Sequence, residues 1–150
     1  MTDKRFAPHG QFDVLWCGDI LCSRLVGTFN VQAMQAYVTE LKALGAQRPT
    51  RWGRLADMRA WDGMTPEAGE LFKEFAEWIK TTGCKVSVQL LPTTFQKHIA
   101  ALVAQRLNTN HLYQVTTADE VMAVYADYGL EATGLQELLQ QLELPQRSSP

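Results

Sequence analysis

The sequence predicts one α/β domain, built on a mostly parallel central sheet with an antiparallel N-terminal edge strand, flanking helices and an extra C-terminal amphipathic helix. Three observations predict it. Strand-like apolar runs alternate with helical i, i+3, i+4 patterns through most of the chain. The first two runs follow each other directly across Cys17-Gly18-Asp19, which suits a hairpin. The 150 residues, 46% hydrophobic and 20% charged, suffice for one core, and no linker, repeat or low-complexity block divides them.

Phe12–Trp16 and Ile20–Val26 form the opening hairpin. After Gly27-Thr-Phe-Asn30, apolar residues at Met34, Tyr37, Val38, Leu41 and Leu44 mark a helix that Asn30 caps and Gly45 closes. A strand through Arg54–Met58 follows, then a short acidic turn at Trp61–Met64. Thr65-Pro66 starts the second helix, because threonine caps well and proline at the first helical position gives up only an N–H that would lack a partner. Its apolar stripe is Ala68, Leu71, Phe72, Phe75, Trp78 and Ile79, with Gly83 placed to end it. Lys85–Leu91 reads as a strand stopped by Pro92, after which Thr93 or Thr94 caps a helix carrying Phe95, Ile99, Leu102 and Val103. Leu112–Val115 is a short strand. Thr117-Ala-Asp-Glu120 matches a capping box for a helix bearing Val121, Met122, Val124, Tyr125 and Tyr128, ended by Gly129. The domain core thus spans about 12–130, a C-terminal helix covers 131–144, and 145–150 form a polar, disordered tail.

Charge narrows the function classes. The 14 basic and 16 acidic residues are mixed along the chain, leaving no basic stripe for nucleic acid. No run approaches the roughly 18 apolar residues of a membrane span, and the first ten residues lack the apolar region of a signal peptide, so a cytoplasmic protein is expected. Cys17, Cys22 and Cys84 suit reduced thiols rather than a disulfide framework, and the Cys17-x4-Cys22 spacing has no matching second pair to hold zinc. Neither metal nor cofactor is expected.

The stretch Arg51–Gly69 is the best candidate for a working site, because a strand end followed by a helix start gathers free N–H groups and the positive end of a dipole. Asp57 and Arg59 form a candidate ligand-orienting pair, and Trp61 with Asp62 extends them into a polar-aromatic edge for a partner or ligand. No catalytic constellation stands out. His9, His98 and His111 belong to no triad, and Asp119 and Glu120 serve the capping box. Two binding surfaces stay open: the Leu135, Leu138, Leu139, Leu142 stripe, which packs on the domain or pairs with a second copy in a homodimer, and an apolar pocket near Met58, Phe72, Phe75 and Phe95.

The order of elements, the Gly27-Thr-Phe-Asn30 entry to the first helix, Leu55-Ala-Asp57 before the second, and Val115-Thr-Thr-Ala-Asp-Glu-Val121 together resemble the SpoIIAA-like group, over roughly Phe12 to Leu130. That group is related in fold to STAS domains (sulfate transporter and anti-sigma factor antagonist) and to CRAL-TRIO lipid-binding domains. The resemblance implies a non-enzymatic regulatory module that binds a protein partner, with a carrier or sensor of a small apolar, lipid-like ligand as the alternative. Phospho-switch antagonists of the STAS type carry an Asp-Ser or Asp-Thr dipeptide at the start of this helix. Here Asp62 and Thr65 are not adjacent. Thr65 is the candidate phospho-acceptor, and it has a sufficient role as a helix cap.

Overall fold

The computed structural model describes residues 10–48, 50–94, 96–98 and 111–140. Strands β1 (Gln11–Cys17) and β2 (Ile20–Phe29) pair antiparallel, with Cys17 opposite Ile20 at the turn. Gly18 sits in that turn at φ 60°, and a Cβ on it would lie 2.6 Å from the carbonyl oxygen of Glu131, so only glycine fits. Helix α1 (Val31–Gly45) starts where the Asn30 side chain accepts a hydrogen bond from the Ala33 N–H at 2.9 Å. Strand β3 (Trp52–Met64), helix α2 (Pro66–Ile79), strand β4 (Cys84–Leu90) and strand β5 (Leu112–Val115) follow. Helices α3 (Ala118–Asp127) and α4 (Leu135–Gln140) complete the described chain.

The sheet has the order β1-β2-β3-β4-β5, parallel from β2 onward. Crossovers that all step the same way with the same hand deliver their helices to the same face, and α1 and α2 indeed pack together on one side. Strand alternation then sorts the core. Leu21, Leu25 and Phe29 of β2 with Trp52, Ala56 and Met58 of β3 face α1 and α2. Ile20, Cys22, Leu55, Val86, Val88 and Leu90 face α3 and α4 on the other side.

Several details differ from the sequence-based expectations. Gly45 is the last residue of α1 rather than its terminator, and α2 ends at Ile79, four residues before Gly83. The acidic turn expected at Trp61–Met64 is strand: β3 continues to Met64, pairing Met64 with Phe29, because two register shifts against β2 let the chain keep bonding while it bends. Gly63, at φ 126°, occupies a backbone conformation open to glycine and strained for other residues. Leu135 and Leu139 of the C-terminal helix are buried in the domain's own core, so the stripe packs inward and the observed contacts give a homodimer through it no support. Trp78, placed on the core stripe, is only half-buried, with the Lys42 ammonium 5.7 Å from its ring centroid. Thr93 accepts from the Gln96 N–H at 3.1 Å and so caps the helical start at Thr94. Phe95, Ile99, Leu102, Val103, Leu142, His9 and the 145–150 tail lie outside the described residues.

Candidate binding site between the sheet and the second helix

The five residues expected at the β3–α2 junction separate into three environments. Asp57 is 4% exposed, not part of an exposed edge. Its carboxylate accepts hydrogen bonds from Arg24 Nε at 3.1 Å and from Arg59 Nε and Nη2 at 2.9 and 2.8 Å. Arg59 Nη2 also donates to the Leu139 carbonyl at 2.9 Å, tying α4 to the sheet. Burial pushes the Asp57 carboxyl up, but the bonds and charge of Arg59, helped by Arg24, outweigh it and hold the group below the ordinary carboxylate value. A buried acid between two guanidiniums has its hydrogen-bonding capacity occupied, so Asp57 and Arg59 serve as a clasp for α4.

Trp61 and Asp62 lie on the opposite face from Asp57. The first register shift falls between the Arg24–Asp57 and Val26–Ala60 pairs, inserting one residue into β3, so that Trp61 comes opposite Gly27 and joins the α1–α2 side. There Trp61, Asp62 and Met64 line a cavity of about 740 Å³ between the sheet and α2, within the roughly 300–1,000 Å³ range of small-molecule sites. Met58 from the sheet and Phe72, Phe75 and Ile79 from α2 supply most of the apolar wall. The pocket expected near Met58, Phe72 and Phe75 therefore exists.

One residue of this wall was not singled out from the sequence. Arg54 is 4% exposed and lines the cavity. Its guanidinium lies 5.1 and 5.9 Å from the ring centroids of Phe75 and Phe72, and Nη2 donates to the Tyr37 hydroxyl at 3.2 Å. Tyr37 and Ser23 hydroxyls are 2.7 Å apart, and Ser23 gives its proton to the Leu55 carbonyl at 3.0 Å. The directions follow: Tyr37 donates to Ser23 and accepts from Arg54, which fixes the arginine at the end of a relay. Nε of Arg54 has no hydrogen-bond partner among the described residues, and neither does Nε1 of Trp61. The clue in the sequence was parity. Arg54 occupies a core-facing position in the alternation Trp52, Arg54, Ala56, Met58, where a charge is expensive unless it has work to do.

Thr65 caps α2, its side chain accepting from the Ala68 N–H at 3.2 Å while its own N–H donates to the Phe29 carbonyl at 3.0 Å. Burial raises the Cys84 thiol at the cavity wall above its ordinary value. Glu120 accepts from the Thr117 hydroxyl at 3.0 Å and the Thr116 N–H at 3.3 Å, while Thr117 accepts from the Glu120 N–H at 3.2 Å, so these groups serve the start of α3. His111 Nδ1 and the Tyr113 hydroxyl each meet the Tyr128 hydroxyl at 3.1 Å on the β5 edge. Among the described residues, no three His, Cys, Asp or Glu side chains gather to hold a metal ion, and no helix is long and apolar enough to cross a membrane.

A five-stranded sheet with this mixed topology, α1 and α2 on one face and α3 and α4 on the other among the described residues, is a SpoIIAA-like fold. The chain is similar to an uncharacterised protein of the DUF3478 family with a SpoIIAA-like fold from Shewanella loihica, at TM-score 0.58 and 12% identity, covering 82% of this chain and 97% of that one. It is also similar to the anti-sigma factor antagonist SpoIIAA in its unphosphorylated form, at TM-score 0.50 and 11% identity, covering 81% and 99% of the two chains. No protein-family model matches the sequence, and no curated protein matches it. The likeness is one of fold.

Proposed function

We propose that this chain is a non-enzymatic regulatory module that acts by binding a protein partner at the β3–α2 junction. The observation that carries the reading is the junction itself: β3 bends at Gly63, and Trp61, the exposed Asp62 and the α2 start at Thr65-Pro66 follow one another at one end of the sheet. The shared fold with an anti-sigma factor antagonist supports a regulatory role. A phosphate on Thr65 would sit at the positive end of α2 but beside Glu67, and the hydroxyl already holds the Ala68 N–H, so binding without phosphorylation is the simpler form of the proposal.

The test is crosslinked capture from the native host, comparing wild type with Trp61→Ala and Asp62→Ala. Loss of the same captured protein in both variants, with thermal unfolding of Asp62→Ala close to wild type, supports the junction. Undiminished capture by both variants contradicts it. The cavity favours a second reading, a carrier or sensor of a small apolar ligand, since about 740 Å³ behind Trp61 and Met64 is room that a tightly packed core would have filled. Native mass spectrometry of protein purified from its host tests this through a retained small-molecule mass.

A further inference from the structure

We propose that the cavity binds a single-chain amphiphile with a carboxylate head, the head on Arg54 and the tail running along α2 toward Trp61; the inference rests on the ligand-binding reading above. An arginine is charged at every accessible pH and offers five N–H donors. In this protein the Arg54 side chain spends one hydrogen bond on Tyr37, leaves Nε without a partner and has no carboxylate in ion-pair contact among the described residues. Asp57, three residues away, lies on the other face of the sheet and is taken by Arg24 and Arg59. A buried cation of this kind is costly unless an anion completes it, and the cavity is where that anion can enter.

The distribution of charge sets the ligand's direction. Arg54 pairs with Ser87 in the middle of β4, and the exposed Lys80, just past α2, and Lys85, two residues before Ser87, line the cavity on the side away from Trp61. Asp62 stands at the opposite end, beside Trp61, where a second negative charge would be repelled. Met58, Phe75 and Ile79 lie between. From Arg54, opposite Leu21, to Trp61, opposite Gly27, both on the wall, the sheet advances six residues of β2, roughly 20 Å at about 3.3 Å each, a span that suits an extended acyl chain rather than a compact metabolite. A guanidinium fork matches one carboxylate. A phosphate monoester, with up to twice the charge, would call for a second cation as deep as Arg54, whereas among the described residues the other cations at that end, Lys80 and Lys85, are exposed at the rim.

The test uses a neutral dye, N-phenyl-1-naphthylamine, and its displacement from the full chain by dodecanoate, dodecanol and dodecyl phosphate. We expect the dye to bind wild type, and the acid–alcohol comparison is made as a ratio within each chain, so that a change in dye affinity at Arg54→Met or Arg54→Lys cancels. Dodecanoate should displace the dye from wild type at about tenfold lower concentration than dodecanol, the scale of one charge-assisted bidentate contact. Arg54→Met should reduce that ratio to about one, and Arg54→Lys should keep part of it. Equal potency of acid and alcohol on wild type, or an advantage that survives Arg54→Met, overturns the carboxylate anchor while the cavity reading stands. Dodecyl phosphate outperforming dodecanoate overturns the choice of head group. Absence of dye binding overturns the cavity reading and this inference with it. The acid–alcohol comparison requires only wild type, so a poorly folding Arg54→Met chain does not remove the test.

Discussion

Asp57 is buried between two arginines, its carboxylate accepting hydrogen bonds from Arg24 and Arg59. A carboxylate at a strand end, two positions before an arginine, is compatible with an exposed recognition pair and with a buried clasp; the choice depends on Arg24 and on the Leu139 carbonyl, both distant in the chain. Its depressed pKa makes a testable statement about stability. The folded carboxyl titrates below its unfolded value of about 3.9, so its contribution is complete above that pH, declines as the pH falls through the folded value and is absent below it. Asp57→Asn should therefore be less stable than wild type near neutral pH, by roughly 3 kcal/mol if the two guanidiniums lose their counter-charge. Urea unfolding measured across pH 2 to about 7 should show the two proteins converging at the acid end. A constant difference over that range would mean that Asp57 contributes through shape alone. Arg54 is the reverse case: its position in the strand alternation was readable, but its lack of an ion-paired carboxylate among the described residues was not, because that depends on which acids the fold brings near.

Among the elements, those with local rules were legible. Asn30, Thr65 and Thr117 cap the helices they were expected to cap, and the hairpin turn falls at Cys17-Gly18-Asp19. The end of β3 was not legible, since Trp61-Asp62-Gly63-Met64 has the composition of a turn and becomes strand only by pairing with Gly27–Phe29, more than thirty residues earlier. The inserted residue between Asp57 and Ala60 shapes the proposed site, because it transfers Trp61 from the clasp side to the cavity side. Gly63 sustains the second irregularity. Gly63→Ala should cost about 1–3 kcal/mol through backbone strain, although a Cβ there meets no atom within 4 Å. The loss should be visible as a lower unfolding midpoint accompanied by a shift in tryptophan emission as Trp61 repositions. An unchanged midpoint would show that the bend does not depend on glycine.

At the scale of the whole molecule, the sheet separates two tasks. The α3–α4 face is closed by Leu135, Leu139, Tyr125 and the Asp57 clasp, and serves stability. The α1–α2 face is closed at α1 by Tyr37, Met34 and Leu41 but leaves a cavity under α2, where Leu71, Phe72 and Ile79 are only partly buried. The α/β class and the strand count could be read from the alternation of patterns, because each element carries its own period and boundary residues; the SpoIIAA-like fold was suggested by resemblance in the order of elements and in the motifs at Gly27–Asn30, Leu55–Asp57 and Val115–Val121. The pocket near Met58, Phe72 and Phe75 could be named from the sequence only as one open surface of two, since apolar residues at helical spacing look alike whether they meet side chains or empty space. The most direct test of the binding account is a titration of isotope-labelled protein with dodecanoate, followed by amide and indole NMR shifts. The account predicts saturable shifts in Arg54, Met58, Phe75 and the Trp61 indole N–H, with the α3–α4 face unmoved; shifts confined to the Tyr113–Tyr128 edge, or none at saturating dodecanoate, would contradict it.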